Sequence, residues 1–272
     1  MPADAAGAAP FTAVVLAAQR SGRLDPLAAD AGVTHKCLVP IAGRPLIEHV
    51  LRTLVQVPGL SRIHISIERD AVEAVRKVPG GSGELGVPVD YVPAATNIAD
   101  SIYAAAHAVD EPLLITTADN VLLTPAAVAE VVGRMHAGAE AVLAMATREA
   151  VLAAHPEGQR RFYKLRDAAY SNCNLYGLNG PKAVKLAEAF RSGGQFAKNP
   201  KRIAQAFGIV NLLLGRYGLI TLAGAMRRLS KRFGVKGEAV VLADGSHAVD
   251  VDNSRTYEIA RILLERRQRA GH

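Results

Sequence analysis

The sequence predicts an α/β fold: a Rossmann-like three-layer sandwich with a mostly parallel central sheet between two layers of helices. Short apolar runs rich in β-branched residues, such as 12–17 and 112–116, alternate along the chain with segments of helical periodicity. Polar and charged residues follow directly after several of these runs. Because open α/β sheets bind ligands beyond the carboxyl ends of their strands, the pattern indicates a binding site along that edge.

Bulk composition limits the class of protein. The 272 residues are half apolar and are enough for one large α/β domain, and the formal net charge of +7 favours anionic partners. Cys37 and Cys173 form neither a metal-ligand spacing nor a disulfide framework, which predicts a reducing, cytoplasmic location. Residues 1–10 are Ala-rich and lack the pattern of a signal peptide, so we expect a disordered tail.

The loop after the first strand carries two guanidinium groups. It reads Gln19-Arg20-Ser21-Gly22-Arg23, Lys36 follows thirteen residues later, and a helical pattern begins at Pro45. Arg binds phosphate oxygens in bidentate fashion and Lys acts as a point charge, so this cation cluster suits a polyphosphate. The alternative is a solvated basic loop after a core strand.

The next elements read as a strand at 62–68, a short helix at 70–77, a strand at 89–92 and a helix from about 97 to 109. Residues 80–86 contain a G-x-G-x-x-G pattern. It follows a helix and precedes a strand, whereas a dinucleotide fingerprint follows a strand and opens a helix. We therefore predict a loop there.

Asp119 is the second chemical signal. The strand at 112–116 ends in Thr117-Ala118-Asp119-Asn120, which places a carboxylate at the end of a central strand. Such a carboxylate can hold Mg²⁺, which takes oxygen ligands and bridges phosphates. The alternative is a helix cap, but the next helix starts near residue 126, and Thr124 fits that cap better.

The second half of the chain is strongly basic. After a strand at 140–146, residues 158–236 contain sixteen Lys and Arg against two acids. Residues 162–166 and 171–176 resemble two strands joined by a turn. Residues 200–233 are helical by pattern and flanked by cations, which fits contact with an anionic membrane, packing on the core or a homodimer face.

The last signal is Asp250-Val251-Asp252, which precedes a helix reaching Arg267. By its position alone, Asp252 or Ser254 could cap this helix.

Together these segments resemble the signature of MobA-like nucleotidyltransferases, within the sugar-phosphate and molybdenum-cofactor nucleotidyltransferase superfamily. The matching residues are Leu16, Ala17, Ala18, Arg23, Lys36, Leu38, Pro40, Gly43, Pro45, Leu46 and Ile47. The chain departs from the family pattern at Gln19, where the family has glycine, and at Arg20-Ser21-Gly22.

The resemblance implies roles for particular residues. It implies catalytic roles for Lys36, Arg23 and Asp119, and a Mg²⁺ or Mn²⁺ ion on Asp119 with Asp252, or less directly Asp250. The implied nucleotide-binding residues are Leu16, Ala17, Ala18, Gln19, Arg20, Ser21, Gly22, Arg23, Lys36, Asn97 and Ser101; a plain helix cap is the alternative at Asn97. The implied acceptor-binding residues are Lys164, Arg166, Asn172 and Asn174, with an exposed basic hairpin as the alternative.

The expected activity is transfer of a nucleotidyl group from an NTP, with CTP or GTP favoured, to a phosphorylated sugar or polyol, with release of pyrophosphate. We expect residues 11–150 to bind the nucleotide, a basic, largely helical insert at 151–238 to face the acceptor, and residues 239–272 to return to the core. Two alternatives remain: a glycosyltransferase using Asp250-Val251-Asp252 as its D-x-D motif, or a non-catalytic nucleotide-binding protein. With 5% aromatic residues and no recognition motif, we expect no nucleic-acid partner. A peripheral position at the inner face of the membrane is a further expectation.

Overall fold

The computed structural model describes residues 8–19, 24–95, 97–107, 109–190 and 217–270. The strands are β1 (Phe11–Leu16), β2 (Pro40–Ile41), β3 (Arg44–Pro45), β4 (Leu60–Ile67), β5 (Val89–Pro93), β6 (Leu113–Thr117), β7 (Ala141–Thr147), β8 (Tyr163–Lys164), β9 (Ala169–Leu178) and β10 (Gly237–Leu242). The α-helices are α1 (Pro26–Asp30), α2 (Leu46–Leu54), α3 (Val72–Arg76), α4 (Ile98–Ala106), α5 (Pro125–His136), α6 (Arg148–Ala154), α7 (Pro181–Val184), α8 (Leu222–Phe233) and α9 (Ser254–Arg269).

The main sheet confirms the predicted α/β architecture. Its strand order is β10-β7-β9-β6-β1-β4-β5, and β8 pairs with the start of β9. β1 pairs in parallel with both β4 and β6, and β10 pairs in parallel with β7. The carboxyl ends of β1, β4 and β6 therefore lie at one edge of the sheet, where ligands of such folds bind.

Within the described residues, β9 is the one strand of this sheet that runs opposite to the others. It lies between β6 and β7 and runs against both. The expected hairpin with β8 forms, with Tyr163 opposite Tyr170. Because β9 also fills the middle of the sheet, its polar residues lie beside the strand ends of β6 and β7 instead of in an isolated surface hairpin.

Helices cover both faces of the sheet because alternate residues of the central strands point to opposite sides. Ala13 and Val15 of β1 belong to a core cluster with α2, α3 and α5. Val14 points the other way and packs with α4 and residues after Gly180. A further cluster joins α9 to the residues around β2 and to Val249 and Val251.

Helix caps decide several alternatives from the sequence. Thr124 caps α5 and accepts from the backbone N–H of Ala127, as predicted. Asn97 caps α4. The cap of α9 is Asn253, which shares a capping box with Thr256. The alternative, in which Asp252 or Ser254 caps this helix, is therefore wrong, and the Asp252 carboxylate is not used in capping.

The remaining local predictions need small changes. Residues 80–86 form turns between α3 and β5, as expected for a loop. The predicted helix at 70–77 divides into a 3₁₀ turn, Arg69–Ala71, followed by α3. Within the described residues, no helix combines the length and apolar character needed to cross a membrane. Of the segment 200–233, residues 200–216 lie outside the described residues.

Candidate active site

A lysine–aspartate pair lies at the centre of the candidate site. Lys36 begins a 3₁₀ turn, and Asp119 lies two residues beyond the carboxyl end of β6. The Lys36 Nζ is 2.5 Å from Asp119 Oδ2 and 3.6 Å from Asp252 Oδ1. Burial alone would lower the pKa of Lys36, but Asp119, Asp252 and Asp25 offset it, so that the pKa is raised and the ammonium form is favoured. The structure thus brings together Lys36, Asp119 and Asp252, which the sequence analysis assigned to one site.

Neighbouring residues fix the orientation of Asp119. Thr117 Oγ1 donates a 2.5 Å hydrogen bond to Asp119 Oδ1, and the backbone N–H of Val251 donates to the Asp119 carbonyl at 3.2 Å. The second bond draws residues 250–252 alongside the end of β6. The adjacent Asn120 is fully buried and joins β6 to β9 by donating to the Cys173 carbonyl. Asn120 is thus a structural residue at the base of the site.

Asp250 is a buried carboxylate beside this pair. Its Oδ2 accepts a 2.6 Å hydrogen bond from Asn174 Nδ2, whereas its Oδ1 is buried and has no hydrogen-bond partner among the described residues. Burial, together with the carboxylates of Asp119 and Asp252, holds the pKa of Asp250 well above its usual range. The cluster therefore holds more acidic groups than Lys36 alone can neutralise.

Asn174 lies in a strained stretch of β9. Its φ is +46°, in the left-handed region that side chains other than glycine rarely adopt. The pairing of β7 with β9 shifts register between Leu143 and Met145, opposite this position, as at a β-bulge. Asn172 Nδ2 donates to Asn174 Oδ1 at 2.9 Å and also bonds to the Tyr176 hydroxyl. These contacts aim the Asn174 amide at Asp250.

Gln19 holds together the segment that leads to Lys36. Its backbone N–H donates to Glu68 Oε1 at 2.8 Å, and its side-chain Nε2 donates to the Thr34 carbonyl at 3.0 Å. Its Oε1 accepts from the backbone N–H of Asp25 at 3.2 Å. Gln19 thereby bridges positions on both sides of residues 26–33. Arg20, Ser21, Gly22 and Arg23 lie outside the described residues.

Four other predicted site residues lie at the start of α4 and beside the β8–β9 turn. Asn97 Oδ1 accepts from the Asp100 N–H as a helix cap, and Ser101 Oγ accepts from the Ala95 N–H at 3.0 Å, so local contacts already use both side chains. Lys164 and Arg166 are exposed beside the β8–β9 turn. Within the described residues, no hydrogen bond or ion pair joins Ser101, Lys164 or Arg166 to the Lys36 cluster.

Sequence reasoning missed two members of the site. Thr117 orients Asp119, and the Tyr176 hydroxyl lies in the Asn172–Asn174 network, 3.3 Å from Asn174 Oδ1. A hydroxyl residue two positions before Asp119 was the available signal for the first. The alternation of Asn172, Asn174 and Tyr176 along β9 was the signal for the second, since alternate residues of a strand share a face.

The donor set fits a divalent cation of the Mg²⁺ type. Asp119, Asp250 and Asp252 offer only oxygen atoms, and the unpartnered Oδ1 of Asp250 is a buried acceptor. Within the described residues, however, no three His, Cys, Asp or Glu side chains form a ready metal-binding group. Mg²⁺ usually keeps several waters and binds through one or two carboxylates plus phosphates, so part of the coordination would come from a substrate.

Solved structures share this architecture. A hypothetical transferase from Thermus thermophilus matches 92% of this chain and 99% of its own, with 27% identity and a TM-score of 0.71. The 4-diphosphocytidyl-2C-methyl-D-erythritol synthase of Anaerococcus prevotii matches 95% of this chain and 100% of its own, with 12% identity and a TM-score of 0.59. A CMP:2-keto-3-deoxy-manno-octonic acid synthetase, solved with CTP, covers 95% of this chain and 99% of its own, with 14% identity and a TM-score of 0.57. The predicted fold, of the nucleotide-diphospho-sugar transferase type, is confirmed.

No curated protein matches the chain by sequence. A family model does: the one described as the MobA-like NTP transferase domain matches residues 13–202, which is more than half of the chain and contains Lys36, Asp119 and Asn174. This chain therefore belongs to the MobA-like NTP transferase family, as Leu16-Ala17-Ala18, Arg23 and the Lys36–Ile47 segment predicted.

Proposed function

We propose that this protein transfers a nucleotidyl group from an NTP to the phosphate of a small phosphorylated acceptor and releases pyrophosphate. The observation that carries the proposal is the cluster of Lys36 with Asp119, Asp250 and Asp252 at the carboxyl edge of the sheet. It combines one fixed cation with several carboxylates, which is the charge arrangement that a metal–polyphosphate substrate requires.

In this proposal the chain's own residues bind and align the reactants. An oxygen of the acceptor phosphate attacks the α-phosphorus, the bond from that phosphorus to the β-phosphate oxygen breaks, and pyrophosphate leaves with the electron pair. Lys36 stabilises negative charge on the transferred phosphoryl group. Arg20 and Arg23, proposed from the sequence alone, hold the β- and γ-phosphates.

The acidic residues would hold the metal ion. Asp119 and Asp252 are the proposed ligands, with Asp250 behind them, positioned by Asn174. When bound, Mg²⁺ or Mn²⁺ supplies positive charge against the phosphate oxygens. No general base is needed, since a phosphate monoester has a second pKa of about 6 and is mostly dianionic at neutral pH.

The proposed donor is CTP, with GTP as the second choice. One structural neighbour was solved with CTP, and another is named as a synthase of a diphosphocytidyl product. The acceptor is proposed to be a sugar or polyol phosphate. Lys164 and Arg166 are exposed cations beside the β8–β9 turn, so this end of the sheet suits an anionic molecule. Their neighbours Asn172 and Asn174 of β9 bond to one another and to Asp250.

The test is pyrophosphate release with each of CTP, GTP, UTP, ATP and TTP, with Mg²⁺ and a panel of phosphorylated sugars and polyols. We expect one donor to be strongly preferred and Asp119→Asn to lower turnover by at least ~10²-fold, as expected for loss of a group that acts on the transition-state charge. Asp110→Asn is the matched control, because Asp110 is exposed at the opposite end of β6. Full activity in Asp119→Asn would refute the proposed site. Consumption of a sugar nucleotide instead would identify a glycosyltransferase.

A further inference from the structure

Helix α8 presents a basic surface that the proposed reaction does not use. Residues 217–236 contain five Lys and Arg and no Asp or Glu, and four of the cations lie within α8. An amphipathic helix of this charge has two faces of different chemistry.

The inner face of α8 packs on the protein. Leu222 is buried in a small cluster with Met145 and Tyr170, and Ser230 Oγ exchanges hydrogen bonds with the backbone of Gly237 at the start of β10. The N-terminus of the helix is fixed as well, since the Asp167 carboxylate accepts from the Leu222 N–H at 3.1 Å. The orientation of α8 on the sheet is therefore determined by these contacts.

The outer face of α8 forms one side of an open cleft of about 410 Å³. Its described lining residues combine apolar groups at the start of the helix with cations further along: Leu219, Ile220, Gly224, Arg227, Arg228 and Lys231. Next to this cleft, the Tyr217 side chain is 69% exposed and the Leu219 side chain is 60% exposed. Four large apolar side chains are exposed among the described residues, and two of the four are Tyr217 and Leu219, close in the chain to the cations of α8.

We propose that this surface, consisting of Tyr217, Leu219, Arg227 and Lys231, binds an anionic membrane surface. Cations within a Debye length of such a surface are attracted to it, and each contributes to binding. Tyr side chains favour the membrane–water interface, and an exposed Leu beside them can enter the boundary of the acyl chains. Cations and an exposed aromatic ring such as Tyr217 would also suit a nucleic acid, but the exposed Leu219 side chain would not, and it favours a membrane.

The position of α8 on the sheet determines where a bound membrane would lie relative to the candidate active site. The N-terminal end of α8 is tied to the β8–β9 turn, because the Asp167 carboxylate accepts from the Leu222 N–H and the Arg166 N–H donates to the Ile220 carbonyl at 2.9 Å. That turn lies at the carboxyl edge of the sheet, where β9 begins. The Leu219 end of the surface therefore lies nearer the edge of the sheet that carries the candidate active site, whereas Lys231 lies towards the opposite edge, where Ser230 contacts Gly237 at the start of β10. The proposal stands independently of which reaction that site catalyses.

The test is co-sedimentation of the full chain with vesicles of phosphatidylcholine alone and with about 30 mol% phosphatidylglycerol. We expect binding to the anionic vesicles only, weakened at about 0.5 M NaCl because salt screens the charges. The double variant R227Q/K231Q should bind at least ~10-fold more weakly, since each cation near the surface contributes. The matched control is K77Q/K182Q, which removes the same charge from exposed positions just after α3 and on α7.

A second variant separates a membrane from a general polyanion. Tyr217→Ser with Leu219→Ser leaves all cations in place, and we expect it to reduce vesicle binding while leaving retention on heparin unchanged. The proposal is overturned if the wild-type protein does not co-sediment with anionic vesicles. It is also overturned if the Tyr217→Ser, Leu219→Ser variant binds these vesicles as the wild type does, whether or not R227Q/K231Q does. Thermal denaturation of each variant confirms that it is folded before binding is compared.

Discussion

Lys36 and Asp119 form an ion pair 2.5 Å long at the point where a polyphosphate and its metal ion are proposed to bind. Both side chains are more than four-fifths buried, so the pair is held in a water-poor environment. The ammonium group neutralises part of the negative charge of the neighbouring Asp119 and Asp252 carboxylates. Substrate binding would then exchange partners: the lysine would bind phosphate oxygens, and the carboxylates would bind the metal ion.

This exchange predicts how Mg²⁺ affects stability. Lys36→Met should lower the free energy of unfolding by roughly 1.5–3 kcal/mol without Mg²⁺, because it leaves carboxylates uncompensated. Millimolar Mg²⁺ should raise the Tm of this variant more than that of the wild type, since the ion replaces the missing charge. Thermal denaturation with and without MgCl₂ measures this. Lys77→Met, at an exposed lysine, should show no such difference, and an equal Mg²⁺ response in all three proteins would contradict the exchange.

Asn174 offers a way to separate backbone strain from function. Asn174→Gly removes both the hydrogen bond to Asp250 and the strain of a φ of +46°, whereas Asn174→Ala removes the hydrogen bond and keeps the strain. We expect the alanine variant to be less stable than the glycine variant by about 1 kcal/mol. Both should lose activity because Asp250 is no longer oriented. Urea denaturation and pyrophosphate release test the two expectations; equal stabilities would mean that the strain is relieved in another way.

Gln19 is predicted to set the affinity for the nucleotide. Gln19→Ala removes the side-chain bonds to Asp25 and Thr34, each worth about 1 kcal/mol. If those bonds fix the position of the loop, then losing them should raise the KM for the NTP roughly 5–30-fold, with a smaller change in kcat. Gln56→Ala is the matched control, since Gln56 Nε2 makes a similar but exposed bond to the Arg52 carbonyl near the end of α2. A fall in kcat alone would place Gln19 in the chemical step instead.

The sequence predicted the edge of the sheet that carries the site better than it predicted the contacts within the site. Asp119 follows a buried strand and Asp252 precedes a helix, and both signals are local, so each could be interpreted from its neighbours. The ion pair of Lys36 with Asp119 joins residues 83 positions apart in the chain, and no local pattern encodes it.

The position of β9 was also beyond a local interpretation. Residues 171–176 alternate polar and apolar side chains, a pattern typical of a strand with one face in water. In the structure the polar face, which carries Asn172 and Asn174, points to the site instead of to solvent, and the strand lies between β6 and β7. Alternation gives the two faces of a strand but does not identify what covers each face.

Buried histidines predict how stability depends on pH. Burial lowers the pKa of His49, His64 and His247 below 6.5, so the folded state favours their neutral forms. Their contribution to stability is therefore present above the unfolded pKa of about 6.5 and is lost as the pH falls below it, by up to ~1.4 kcal/mol per pH unit for each residue. Asp250 acts in the opposite sense, because its raised pKa favours the folded state at lower pH.

The comparison is thus made between wild type and a variant: His64→Leu should lose less stability than wild type between pH ~7.5 and pH ~5 in urea denaturation. His136→Leu, at an exposed site on α5, is the control and should follow the wild type. If His64→Leu also follows the wild type, then His64 is protonated in the folded protein at pH ~5 at no cost.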